Sequence, residues 1–313
     1  MSELFVDRLI DAIAEKGSPV CVGIDPILNM LPDAVAGDPA ARNAADREAA
    51  IDAIFDFCTA VLRTVAPHVA IVKFQSAYFE QYLWEGVEAY YSLVAEAKSL
   101  GLLVIGDVKR GDIGSTASAY AAGHLADLPD SADNGIVLPD AITVNPMLGA
   151  DTLEPFINTA RTFGKGLFVL VRTSNPGSAE FQDVALADGR TWSQMLADRV
   201  AMLADGAGLI GKHGFSSVGA VVGATQPQTM ASLRQRLPKS FFLLPGYGAQ
   251  GATAEMTRAA FIGGKGALVS ASRSILYAHR EKKYADAFGA DWQKCVTQAV
   301  LDMKEDVNRV LQA

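Results

Sequence analysis

The 313-residue chain is poor in the residue types that build metal centres and disulfide frameworks. Its three cysteines, Cys21, Cys58 and Cys295, are odd in number and show no CxxC spacing, so they read as reduced, packed thiols of a cytoplasmic protein. The four histidines, His68, His124, His213 and His279, are scattered with no partner at ligand spacing, and no metal site is expected. Basic charge is also short. There are 27 Lys and Arg against 35 Asp and Glu, a net charge of −8, which argues against a nucleic-acid footprint. No apolar run is long enough to span a bilayer, so no membrane partner is expected. The N-terminal MSELFVDRLIDAIAEKG carries charges among its apolar residues and reads as an amphipathic helix, not a signal peptide. Internal repeats and low-complexity tracts are missing as well.

What is present alternates. Apolar, β-branched runs recur at Val20–Ile24, Val69–Phe74, Leu102–Ile105, Ala141–Val144, Leu167–Val171, Val218–Val222, Phe241–Leu244 and Ala267–Val269. Each is short, nearly continuous in hydrophobicity and bounded by Gly, Pro or polar clusters, as parallel strands buried on both faces should be. Helix-length segments lie between them, among them Asp46–Val65, Gly86–Leu100, Trp192–Leu203, Gln228–Leu237 and Thr253–Ile262. Eight strands alternating with helices, with no break into two domains, predict an α/β chain forming a single (β/α)8 barrel over residues 1–313. A doubly wound open sheet is the alternative. The stretches 26–45 and 124–140 read as insertions on the barrel.

In such a barrel, chemistry collects at the C-terminal ends of the strands. Strand one ends in Asp25, strand two in Lys73-Phe-Gln75, and strand three in the run DVKRGDIGST from Asp107 to Thr116. By the period of two in a strand, Asp107 and Lys109 point the same way, and Asp112 follows a glycine that lets the chain turn. Charges crowded at the end of a buried strand are costly unless they pair or do chemistry. The plainer reading of the run is a helix-capping loop with a local ion pair.

Strand five runs into Arg172-Thr-Ser174-Asn-Pro-Gly, strand seven into PGYGAQG and strand eight into Ser270-Ala-Ser-Arg273-Ser. GYGAQG matches GxGxxG, but Met256–Arg280 contains no Asp or Glu to hold a ribose, which speaks against a dinucleotide cofactor. A monophosphate fits better. Glycine amides after strands seven and eight bind phosphate in many barrels, Gln250 adds an amide donor, and Arg273 offers a planar fork. Alternatively these glycines only make tight turns. Ser174 lies in no GxSxG element, so a covalent serine mechanism is not expected. The strand-seven loop, with three glycines and a tyrosine, is the candidate lid.

DVKRGDIGSTA, with Lys73 upstream and PGYGAQG and SRS downstream, resembles the orotidine 5′-phosphate decarboxylase family, in particular its longer bacterial branch. The resemblance runs over all eight strand ends, from Val20 to Ser274. The DxKxxD element is shared with sugar-phosphate relatives; Arg110, Ile113 and Thr116, together with Gln250 and Arg273, make the match specific. It implies decarboxylation of orotidine 5′-monophosphate to uridine 5′-monophosphate, the last step of de novo UMP synthesis, without cofactor or metal. It also implies a cytoplasmic homodimer with shared active sites.

Residue by residue, the resemblance assigns the family's alternating array to Lys73, Asp107, Lys109 and Asp112. Lys109 is then the proton donor to C6 of the pyrimidine, Asp107 lies against the departing carboxylate, and Lys73 ties Asp107 to the ribose hydroxyls. Asp25 matches a ribose-binding aspartate, Ser174 the serine that bonds the pyrimidine, and Gln250 and Arg273 the phosphate contacts. Asp112, Ile113 and Thr116 would serve the partner chain's site. Residues 26–45 and those after Ser274 receive no role. Two other functions stay open: a metal-dependent sugar-phosphate decarboxylase or aldolase of the same superfamily, and a non-enzymatic nucleotide-binding barrel.

Overall fold

The computed structural model describes residues 3–37, 46–127 and 136–312. Eight parallel strands run in sequence order around a closed barrel. They are β1 (Val20–Ile24), β2 (Ile71–Gln75), β3 (Leu103–Arg110), β4 (Ala141–Val144), β5 (Gly166–Arg172), β6 (Ser216–Val222), β7 (Ser240–Pro245) and β8 (Ala267–Ala271). Closure pairs Val20 with Val269, Cys21 with Ser270 and Val22 with Ala271. The open-sheet alternative is thereby ruled out.

Nearly every strand residue is buried, because one face packs inside the barrel and the other beneath the helices. The inside is filled by Ile71, Ile105, Phe168, Phe241, Leu243 and Leu268, among others. The amphipathic N-terminal segment forms the helix Phe5–Lys16 and closes the bottom of the barrel with Phe5, Val6, Leu9 and Ile10. Phe5 meets Phe168 edge-on at 6.1 Å. Gly166 makes room for it, since a Cβ there would lie 2.1 Å from the Phe5 ring. With its bottom plugged, the barrel is open only where the strands end.

The outer layer includes the helix Arg47–Val65, whose N-terminus is capped by the Asp46 carboxylate, and Trp192–Ala204, which opens with a Thr191/Gln194 capping box. Two sequence expectations need correction. Thr253–Ile262 is not one helix. A single turn, Ala254–Thr257, passes into a 3-10 turn, Arg258–Ala260, because the buried Arg234 guanidinium takes the Ala260 carbonyl at 2.7 Å and the chain turns away. The supposed insertion 124–140 begins too early, since His124 and Leu125 finish the helix Gly114–Leu125; residues 128–135 lie outside the described residues. In 26–45, the described part folds onto the barrel through a 3-10 turn, Leu28–Met30, and buried Leu31, while 38–45 lie outside the described residues. The C-terminal stretch ends in the helix Trp292–Gln312, which buries Trp292 against Phe57 at 5.3 Å. The three cysteines are free and buried.

Candidate active site

A cavity of about 450 Å³ opens at the C-terminal ends of the strands. Asp25, Lys73, Asp107, Lys109, Ser174, Gln250 and Arg273, from six different strand ends, all line it. Its floor is apolar, with Leu170, Val221 and Leu243 beneath the polar groups.

Asp107 is the hub. Its Oδ2 accepts from Lys73 Nζ at 2.9 Å and from Gln75 Nε2 at 3.0 Å. Its Oδ1 accepts from Lys109 Nζ at 2.6 Å and from the Thr143 hydroxyl at 2.8 Å. Four donors thus satisfy a carboxylate that is only 7% exposed. Burial alone would raise its pKa, but the ammonium groups of Lys73 and then Lys109 outweigh burial and hold the carboxyl well below its usual range. For Lys73, burial opposes the charge, and the carboxylates of Asp107 and Asp25 more than restore it, pushing the amine above its ordinary value. Lys73 also stands 3.8 Å from Asp25 Oδ1, a buried oxygen with no hydrogen bond of its own.

The convergence of Asp107 and Lys109 does not come from a regular strand. Gly106 pairs with Ile142 and Arg110 with Val144, so Asp107, Val108 and Lys109 bulge opposite the single residue Thr143. Lys109 sits in the left-handed region at φ +47°, while Val108 turns outward into the core beneath the helices. The expectation that period two aligns the two charged side chains is therefore right in outcome and incomplete in mechanism.

Across the cavity, the β7 loop turns through Gly246 and Gly248 at φ +112° and +70°, conformations that glycine adopts without strain. Among the described residues, the side chains of Gln250 and Arg273 have no hydrogen-bond partner, so their donors are free to meet a ligand. Tyr247, on the same loop, donates to Asp306 of the C-terminal helix at 3.0 Å.

Asp112, Ile113 and Thr116 do not line the cavity. Asp112 accepts from the Ile113 backbone at 2.8 Å, and Ile113 is 62% exposed. Two of the closest neighbours of Asp107 receive no role from the sequence. Gln75 stands out only as a polar residue ending β2. Thr143 gives no signal, because a threonine in AITV is an ordinary strand residue.

A closed parallel barrel with a charged cavity at its strand ends defines an enzyme of the (β/α)8 class. Residues 18–288 match the model of the orotidine 5′-phosphate decarboxylase / HUMPS family, and the chain belongs to that family. The orotidine 5′-phosphate decarboxylase of Rhodopirellula baltica is 41% identical over 306 residues, covering 97% of this chain and 98% of its own. The crystal structure from Streptomyces avermitilis superposes with a TM-score of 0.79 at 32% identity, covering 100% of this chain and 97% of its own. The Leishmania donovani OMP decarboxylase gives 0.71 at 29% identity, covering 99% and 100%.

Proposed function

We propose that this chain decarboxylates orotidine 5′-monophosphate to uridine 5′-monophosphate, the closing step of UMP synthesis, and that Lys109 delivers the proton to C6. Loss of carbon dioxide from C6 leaves an electron pair in the plane of the ring, where the π system cannot spread it. The charge has to be met electrostatically. The observation that carries this reading is the line Lys73–Asp107–Lys109, with contacts of 2.9 and 2.6 Å on the cavity wall. An ammonium fixed before reaction needs little reorganisation when charge develops, and a preorganised donor of this kind is worth about 3–4 kcal/mol.

In this reading Asp107 lies against the departing carboxylate, Lys73 and Asp25 meet the ribose hydroxyls, and Ser174 bonds the pyrimidine. Gln250 and Arg273 hold the phosphate, whose binding energy draws the β7 loop over the site. Asp112, Ile113 and Thr116 complete the site of a second copy in a homodimer. Their position outside their own chain's cavity supports this, as do Met147 and Leu148 on the adjacent β4 loop, 68% and 55% exposed. The whole chain acts as one catalytic barrel in the cytoplasm, a reading supported by its free, buried thiols. Among the described residues no helix is long and apolar enough to cross a membrane.

The metal-dependent alternative needs carboxylate oxygens for a divalent ion, and both oxygens of Asp107 already face ammonium groups. Purified protein should consume orotidine 5′-monophosphate, followed by loss of its absorbance, at the same rate with and without EDTA. No consumption would end the decarboxylase reading; consumption abolished by EDTA and restored by a divalent ion would favour the alternative.

A further inference from the structure

We propose that Thr143 is a positioning residue for Lys109, an inference that rests on the decarboxylase reading above. The bulge in β3 removes Lys109 from the regular ladder to β4. Its backbone N–H would then lack the carbonyl acceptor that a strand supplies. The Thr143 hydroxyl takes that place, accepting from Lys109 N at 2.9 Å. The same hydroxyl spends its proton on Asp107 Oδ1 at 2.8 Å, the oxygen that also receives Lys109 Nζ. One hydroxyl, on the 1%-exposed Thr143, thereby joins both ends of the Lys109 residue, its backbone directly and its ammonium through the shared carboxylate oxygen.

The arrangement has something to hold. A lysine at φ +47° is in a region that residues with a Cβ enter at a cost, and it persists only where its surroundings fix it. On its C-terminal side the ladder resumes at once, with Asn145 N donating to the Arg110 carbonyl at 2.8 Å and Arg110 paired to Glu80. On its N-terminal side Asp107 is held by Lys73 and Gln75. Lys109 is thus the one residue of the segment whose backbone position depends on a side chain of β4. Thr143→Val keeps the shape and β-branching while removing both hydrogen bonds. The Lys109 backbone is then free to relax, and the ammonium leaves the place where charge develops at C6.

The test compares wild type with Thr143→Val, Thr143→Ser and Thr143→Ala by steady-state kinetics on orotidine 5′-monophosphate, together with calorimetric UMP affinity. Thr143→Val should lower kcat about 10- to 100-fold while KM and UMP affinity stay within about twofold, and Thr143→Ser should recover most of the loss. A hydroxyl that only supported the fold would not split kcat from affinity in this way. If the valine variant does not fold, the serine-to-alanine kcat ratio carries the test, with about tenfold or more expected. Wild-type kcat in the valine variant, or equal kcat in the serine and alanine variants, overturns the role of Thr143 alone. An inactive wild type overturns the decarboxylase reading itself, and Thr143 with it.

Discussion

Replacing Lys73 by methionine keeps the length and most of the volume of the side chain but deletes the ammonium. Asp107 then loses a 2.9 Å partner, and Asp25 loses its cation at 3.8 Å. Lys73 and Asp107 are 6% and 7% exposed, so water replaces the lost contact poorly. Removing one partner of such a buried pair costs up to about 3–5 kcal/mol, because part of the remaining charge is left uncompensated. The pH dependence follows from the direction of each shift. Asp107, depressed below its ordinary 3.8, stabilises the fold above that value and loses this as pH falls through its folded-state pKa. Lys73, raised above its ordinary 10.5, contributes fully below that value and loses this as pH rises through its folded-state pKa. In Lys73→Met, only Lys109 still compensates Asp107, so the carboxyl takes up a proton at a higher pH than in wild type. The stability gap between the two proteins should be largest near neutral pH and narrow through the carboxylate range. Equilibrium urea unfolding followed by circular dichroism measures it. A penalty below about 1 kcal/mol near neutral pH, or one unchanged down to about pH 3, would refute this account of the ion pair.

In the proposed homodimer, mixing Lys109→Ala with Asp112→Ala protein should restore about a quarter of wild-type activity after subunit exchange, since half the dimers are mixed and each holds one intact site. No recovery would place Asp112 in its own chain's site. Arg273→Ala should raise KM for the nucleotide about 10- to 100-fold, the worth of a charge-assisted bond to phosphate, measured by initial rates; an unchanged KM would remove Arg273 from the phosphate site. Gly166→Ala should lower unfolding stability by about 1–3 kcal/mol, since its Cβ would sit 2.1 Å from the buried Phe5 ring, and a neutral result in thermal unfolding would show that the N-terminal helix shifts freely.

The barrel was legible because parallel strands buried on both faces are written as short apolar runs. Val20–Ile24 and Ala141–Val144 match to the residue, and the others differ at their ends. Helices were less legible. Gly114–Leu125 reads GSTASAYAAGHL, with little contrast between its faces and a glycine–serine start that resembles a loop. The cavity-lining charges at Lys73, Asp107 and Lys109 stood out because ionisable residues are conspicuous at the ends of apolar strands. The bulge that makes them converge did not. A two-residue mismatch in pairing between β3 and β4 is a relation between strands, and DVKR carries no glycine to mark it. Thr143 was hidden for the same reason, since its importance depends entirely on what lies opposite.

The central claim is that a fixed lysine ammonium meets the charge at C6. The direct measurement is the initial rate of orotidine 5′-monophosphate consumption by wild type and Lys109→Ala, with UMP affinity determined in parallel. Loss of the preorganised cation should lower kcat at least about 100- to 1,000-fold, while the variant still binds UMP. A Lys109→Ala protein that turns over within about tenfold of wild type would contradict the claim.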